Sequence, residues 1–413
     1  MTSPRPAGAS RGRDWRLFLV IGAVVVIGPA AMDVYLPGMP ELARDFGATP
    51  SATQVTITTF LLGLALGQLV SGPLSDVVGR RRPLIGGMAL FAVASLVCSL
   101  APSLAALAAL RFVQGALAAA GMAIGRAAVR DMYEGAAAAR YLSRLILIIG
   151  LGPVLAPLIG GQLLRVTSWR GVFVALAVLG LAVALLALRF LPETLAPENR
   201  RAAGLGLTVR SFGTLLGDRR FVGFVLIIGL CSGAVVAYIA GSSFVLEGVY
   251  GVSPQLYGLL FGINAVFLVL GAQMNAHLLG RFSPRRLLAV GLVTMLVAAG
   301  SLVAVVELAE TSVAAVMPPF TLVMLSWSFV QSNATALALT DYPRLAGTAA
   351  ALLGVSQFAF GAVMAPLVGL GGDDTAWPIA LAIAVCSVGA AAAFVLLVPA
   401  VARRRLRPAP SEA

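Results

Sequence analysis

The chain of 413 residues contains no lysine; all 29 of its basic residues are arginine. A phosphate-binding loop needs a lysine to reach the β- and γ-phosphates, so a self-contained ATP-driven pump is excluded. Schiff-base chemistry at a lysine is excluded on the same ground. Histidine is nearly absent, and His277 alone cannot anchor a histidine-rich metal cluster. The three cysteines, Cys98, Cys231 and Cys386, stand far apart inside apolar runs, as free buried thiols do and a redox set does not. Charge is scarce as well. Charged residues make up 11% of the chain, against roughly a quarter in soluble domains, which excludes a soluble globular protein.

Hydrophobic residues fill 59% of the chain and recur in runs long enough to cross a bilayer. Twelve such runs fit, the first at about 17–36, the fifth at about 142–164, the seventh at about 221–246 and the last at about 377–399. The expected fold is an all-α membrane protein with twelve transmembrane helices in two six-helix bundles. It divides into an N-terminal tail 1–16, a first bundle 17–191, a linker 192–220, a second bundle 221–399 and a C-terminal tail 400–413. No small-residue cleavage site follows the first run, so that run is expected to be a retained helix.

The net charge of +12 points to topology, not to nucleic acid, because the arginines cluster beside the apolar runs. Arg80, Arg81 and Arg82, then Arg126, Arg130, Arg140 and Arg144, and later Arg281, Arg285 and Arg286 all fall on the side that holds both tails. Arg44, Arg165 and Arg170 fall on the other. The positive-inside rule makes both tails cytoplasmic. The all-arginine usage fits a GC-rich bacterial genome, a coding bias; the expected place is the bacterial cytoplasmic (inner) membrane, as a multi-pass protein.

The chain also repeats itself. Ala156-Pro157-Leu158-Ile159-Gly160 in the fifth run recurs as Ala365-Pro366-Leu367-Val368-Gly369 in the eleventh, and the arginine-rich turn after the second run recurs after the eighth. Two parallel halves of six helices follow, with a substrate site expected between them near the midplane. That is a transporter's architecture, and the expected partners are a small-molecule substrate, protons and the lipid bilayer, with no cofactor and no second subunit.

Two motifs carry mechanism on their own. In Gly72-Pro73-Leu74-Ser75-Asp76-Val77-Val78-Gly79-Arg80-Arg81-Arg82-Pro83, Gly72 and Gly79 are read as permitting close approach and turning, and Asp76 as a latch between helices at the arginine-rich side. Arg80 and Arg81 complete this gating loop. In Gly152-Pro153-Val154-Leu155-Ala156-Pro157-Leu158-Ile159-Gly160-Gly161, Gly152, Ala156 and Gly160 put small side chains on one face for close helix contact. Pro153 and Pro157 remove helix hydrogen bonds, so a kinked, tightly packed helix is expected.

The first motif resembles the G-x-L-x-D-x-x-G-R-[KR] loop between helices two and three of the major facilitator superfamily. Within that family, Asp33-Val34-Tyr35-Leu36-Pro37 looks like the D-x-Y-L-P segment of the bicyclomycin and chloramphenicol exporters (the Bcr/CflA type). Arg111-Phe112-Val113-Gln114-Gly115, Arg126-Ala127-Ala128-Val129-Arg130-Asp131 and Leu191-Pro192-Glu193-Thr194-Leu195 are similar to that group's R-F-x-Q-G, R-A-x-x-R-D and L-P-E-T-L segments. The fifth-run motif is similar to the G-P-x-x-G-G segment of exporters that exchange protons for drugs, with Ala156-Pro157 standing between its two pairs. The resemblance implies the major facilitator fold and a drug:proton antiporter.

Asp33 is read as the one carboxylate well inside a run, in the outer half, with no equivalent in the second bundle. Carboxyl groups withdrawn from water can exchange protons near neutral pH. Asp33 is thus the expected proton carrier or cation-substrate ligand; the plainer reading is a carboxylate near the surface or paired with Arg111. Arg111 shares its depth zone and stays protonated. It either tunes nearby carboxylates, bonds substrate, or ties helices through backbone carbonyls. Met32, Tyr35, Phe60, Gln114, Tyr238, Asn264, Gln331, Asn333 and Gln357 are the further candidate cavity residues, apolar walls with few polar handles that suit amphipathic drugs. Uptake of a nutrient is the rival within transport, opposed by the fifth-run motif alone. A membrane-embedded enzyme would need paired carboxylates, metal ligands or a nucleophile with its base, and none is visible.

Overall fold

In the computed structural model, residues 11–133, 135–200, 212–308, 312–342, 345–370 and 375–399 are described. The C-terminal tail 400–413 and residues 201–211 of the expected linker lie outside them. The elements in order are α1 (Arg11–Asp33), the short α2 (Met39–Asp45), α3 (Pro50–Val78), α4 (Arg81–Ser99), α5 (Leu104–Met132), α6 (Gly135–Leu163) and α7 (Trp169–Phe190). The second half holds α8 (Arg219–Ser243), α9 (Pro254–Leu278), α10 (Pro284–Glu307), α11 (Val313–Asp341), α12 (Ala346–Gly369) and α13 (Trp377–Leu397). Eleven helical stretches among the described residues are long and apolar enough to cross a bilayer, and the apolar part 150–163 of α6 stands where the fifth run was expected. The architecture is an all-α membrane protein of two six-helix bundles.

Local chemistry sets the helix starts, and the two halves repeat it. Thr49 caps α3 by accepting from the Ala52 N–H, with Pro50 in the first turn; Ser253 caps α9 through Leu256, with Pro254 in the first turn. Ser103 caps α5 and Ser312 caps α11 in the same way. These caps satisfy orphan N–H groups that hydrocarbon could not. Leucine and valine side chains such as Leu66, Val70, Val178, Val293 and Val297 stand exposed around the bundle, as lipid-facing residues must.

Two spans run further than their apolar runs suggested. After α1 the chain makes a 3-10 turn at Leu36–Gly38 and continues into α2, with Tyr35, Leu36, Met39 and Leu42 fully buried. After α8 it continues as a π-helical turn, Phe244–Val249, which carries Glu247 inside the element. The expected limit at 246 had put that acid outside, and the statement that the second bundle has no counterpart acid is corrected accordingly.

The halves meet along α3 with α12 and α6 with α9. Ser51 Oγ donates to the Pro366 carbonyl (2.9 Å), Gln54 Nε2 to Ala240 (3.0 Å), Thr58 Oγ1 to Ala362 (2.8 Å) and Gln255 Nε2 to Gly161 (3.1 Å). These bonds lie toward the end opposite the arginines. Their acceptors have a common origin. Pro366 has no N–H to give Ala362, so Thr58 supplies the missing donor. The Pro366 and Gly161 carbonyls lie in the last turns of their helices, where helix donors run out.

Candidate functional site

Asp33 ends α1 and is 4% exposed, with no ion-pair or hydrogen-bond partner among the described residues. It stands within electrostatic range of Tyr35 in its own half and of Tyr238 and Tyr257 in the other. The next residue, Val34, packs its carbonyl against Gly160 of α6, which fixes the end of α1 at the seam between halves. Met32, one residue before, is also buried.

Arg111 does not pair with Asp33. Its guanidinium sits in a cage of rings, 4.1 Å from the Phe60 centroid, 4.4 Å from Tyr35 and 5.6 Å from Phe173. Nη1 donates to the Ala31 carbonyl (3.1 Å) and to Gln114 Oε1 (2.6 Å). Gln114 Nε2 donates to Ser95 Oγ (2.7 Å), which donates to Phe91 O. Tyr35 and Thr56 share a hydroxyl contact of 3.1 Å. Nε and Nη2 of Arg111 are buried without a hydrogen-bond partner. Ring quadrupoles and a backbone carbonyl thus hold this cation, in place of a carboxylate.

In the second half, Tyr238 is stacked on Phe261 (5.3 Å) and tilted against Phe320 (4.9 Å). Asn264 Nδ2 donates to its hydroxyl (2.7 Å), and Thr321 Oγ1 donates to Asn264 Oδ1 (2.6 Å). Gln331 Nε2 donates to Gln357 Oε1 (3.2 Å), and both side chains are half-buried. Asn333 Nδ2 bonds Asn275 Oδ1 (2.6 Å) and the Phe329 carbonyl.

In this conformation the expected cavity residues lie in separate places. Tyr35, Phe60, Arg111 and Gln114 form the packed interior of the first half, and Tyr238 and Asn264 a packed cluster of the second, all 0% exposed in this conformation. Asn333 is turned into an α9–α11 contact and lines nothing open. Gln331 and Gln357 keep access, and Asp33 a small aperture. Sequence could rank these residues by polarity, but not by which helix face a ring would close.

At the arginine-rich end, Arg80 is buried and organises a network. Its Nη1 pairs with Asp76 and donates to Ser75 Oγ (2.6 Å), while Nε pairs with Asp131 at the end of α5 (2.9 Å). Glu193, just past α7, accepts from the backbone N–H groups of Arg80 (2.8 Å), Arg81 (3.3 Å), Thr194 and Leu195. Burial alone would raise the Glu193 pKa; those four N–H donors overcome it and hold the carboxyl below its ordinary value. Arg81 donates to the Leu188 and Leu191 carbonyls. Asp76, in the last turn of α3, pairs with Arg80 at the start of α4, and Asp131 and Glu193 make further helix-to-helix ties from far along the chain.

The two loop glycines differ. Gly79 has φ +95° and ψ 165°, a region closed to other residues, and a Cβ there would run into Glu193. Gly72 lies inside α3, and a Cβ would meet nothing within 4 Å, which corrects its expected role in close approach. Gly79→Ala is expected to lose about 1–3 kcal/mol from backbone conformation alone, and Gly72→Ala essentially nothing. Thermal unfolding of the purified variants in detergent checks the contrast.

In the fifth-run motif, α6 stays helical through both Pro153 and Pro157. Gly160 meets the Val34 backbone, Gly161 meets Pro254, and the Pro157 carbonyl meets Gly258 of α9. Gly152 makes only ordinary contact with Val26, and Ala156 is buried in the same helix. This helix is wedged between α1 and the second half.

The sequence profile described as Major Facilitator Superfamily matches residues 21–366. The chain belongs to that superfamily. This member is 36% identical to the MFS-type transporter YdgK of Bacillus subtilis (strain 168), over 92% of this chain and 94% of YdgK. It is 30% identical to the bicyclomycin resistance protein homolog of Haemophilus influenzae, covering 92% and 95%. It is also 30% identical to the multidrug resistance protein MdtL of Shigella flexneri serotype 5b, covering 90% and 93%. The nucleoside transporter NupG superposes with a TM-score of 0.78 at 11% identity, over 94% of this chain and all of NupG, 100%. The xylose transporter XylE from E. coli, partially occluded and inward open, gives 0.69 at 14% identity, over 91% and 97%. Those two share the fold. The protein is a multi-pass transporter of the major facilitator superfamily, not an enzyme, with drug-resistance proteins among its relatives.

Proposed function

We propose that this transporter exports amphipathic small molecules, chloramphenicol- or bicyclomycin-like antibiotics among them, in exchange for protons by alternating access. The observation that carries the reading is Asp33, an acid at the seam between halves, almost wholly buried and without a polar partner among the described residues. An intramembrane acid with no structural partner is retained for binding or proton exchange. Its companions across the seam are aromatic, which suits cargo of loosely defined shape. The resistance proteins among the relatives support export of drugs.

In this reading the first bundle is 17–191, the second 221–399, and the arginine-rich face with both tails is cytoplasmic in the bacterial inner membrane. The monomer suffices. Cross-half bonds at the far end close the external side, so cargo binds from the cytoplasm against Asp33, Met32, Gln331 and Gln357. When the halves rock, Asp33 takes a proton from outside as cargo leaves, and returns it inside. Tyr35, Phe60, Arg111, Gln114, Tyr238, Asn264 and Asn333 form walls that exchange contacts during the rocking, while Gly79, Arg80 and Arg81 keep the loop of the first half intact. No cofactor takes part; the electrical part of the proton gradient supplies about 2.3 kcal/mol per charge at 100 mV.

The test is reconstitution. Drug added to proteoliposomes with an imposed pH gradient should accumulate against its own gradient, and collapse of the pH gradient should end accumulation. Equal accumulation with and without the gradient rejects proton exchange, and no drug movement at all rejects export.

A further inference from the structure

At the end opposite the arginine-rich face, α2 of the first half and the π turn of the second each carry a charged residue where the two elements meet. Arg44 lies in the last turn of α2 and is exposed. Glu247 lies on the π-helical turn that follows α8, half-buried, with Oε1 shut in and lacking a hydrogen-bond partner. A cavity of about 310 Å³ beside Arg44 is lined by Pro40, Ala43, Arg44 and Gly47 on one side and by Phe244 and Gly248 of the π turn on the other. α2 and the π turn touch directly. Arg44 is the charge whose field acts on Glu247.

The neighbouring acid on α2 is taken. Asp45 accepts from Trp169 Nε1 (3.1 Å) and pairs with Arg170 (3.2 Å) of α7, which pins α2 to the first half. Arg44 is thereby presented across the seam with no contact ion pair of its own among the described residues. A π turn is a wide turn that shifts the chain by one residue and recurs at functional positions. Here it carries the acid to the seam at the level of α2. Tyr257, on α9, also lies in the field of Glu247, and its hydroxyl is engaged with Ser242.

We propose that Arg44 and Glu247 are positioning residues for transport: an electrostatic clasp between the halves that favours closure of the face opposite the arginines. The proposal rests on the alternating-access reading above. The clasp contributes while the cavity between α2 and the π turn is narrow, and its attraction falls away when the halves part there. It differs from the Arg80 network in kind. The Arg80 network ties helices of one half together, whereas Arg44 and Glu247 act between halves.

The experiment reads distance and needs neither cargo nor a proton gradient, so a failure of drug or proton exchange would leave its result standing. Spin labels are placed at Val166→Cys and Leu308→Cys, both highly exposed at that face and one in each half; the native cysteines are all buried. Pulsed EPR in lipid nanodiscs then gives the populations of short and long separations. Arg44→Glu and Glu247→Arg should each enrich the long separation about fivefold or more, as a coupling of ordinary allosteric size would. The double swap should return it to near the starting distribution. If a reversal fails to fold, Arg44→Gln and Glu247→Gln decide, each expected to shift the populations the same way by less. Unchanged distances in the single variants, or a double swap no closer to the parent than either reversal, overturn the clasp.

Discussion

Asp33→Asn is expected to abolish substrate-driven proton movement while leaving the fold intact or slightly more stable. The two side chains have nearly the same shape, but the amide cannot release and regain a proton. A carboxylate inside a bilayer costs about 2.5–3.5 kcal/mol on insertion scales, and Asp33 has no polar partner among the described residues to offset that. Removing its charge therefore removes a penalty. Loss of coupling with no loss of stability is the signature of a residue kept for function. Proteoliposomes loaded with a pH-sensitive dye report proton movement on drug addition, and thermal unfolding reports stability. Full proton exchange in the variant would dismiss Asp33 as the carrier; a lower unfolding temperature would mean it has a structural partner in the membrane.

The second large effect is expected at Gly160. A Cβ there would run into the Val34 carbonyl oxygen, and a backbone atom cannot swing aside as a side chain does. Either the end of α1 or α6 must move, and the displaced residue, just past α1, is the neighbour of Asp33. Overpacking of this kind costs about 1–3 kcal/mol and displaces backbone. Gly160→Ala is expected to eliminate transport and lower the unfolding temperature by several degrees. Gly152→Ala, in the same motif, places its methyl 3.4 Å from a Val26 methyl group, an ordinary contact, and should transport like the parent. Drug uptake into inverted vesicles separates the two. Equal activity of both variants would show that the motif's small residues do not set the approach of α1.

The sequence carried the membrane class, the helix order and the repeat, because apolar runs, arginine clusters and the Thr49-Pro50 and Ser253-Pro254 caps are local signals. Glu247 escaped it. The π turn prolongs α8 beyond the apolar run, and hydropathy alone does not register a change in turn width. The company of Arg111 escaped it too. A charge search looks for a carboxylate, whereas this guanidinium is held by three rings and a carbonyl that come from three helices and the turn after α1. Gly72 shows the opposite error. Motif spacing singled it out, yet its surroundings are empty and only Gly79 has a backbone that demands glycine. Patterns in one dimension located the loop, and the packing in three decided which of its members carry load.

Among the described residues, the bonds across the seam all run from a side chain to a main-chain oxygen, and three of the four donors, Ser51, Gln54 and Thr58, belong to α3. A main-chain oxygen is present whatever residue bears it. Positions 240 and 362 can therefore drift through many residue types without breaking the join, whereas the donors on α3 cannot. Homologous chains should vary freely on one bank of the seam and little on the other, with no need for paired changes. Cargo preference could then be retuned by single substitutions in the second half, at no cost to the hinge on which the halves turn.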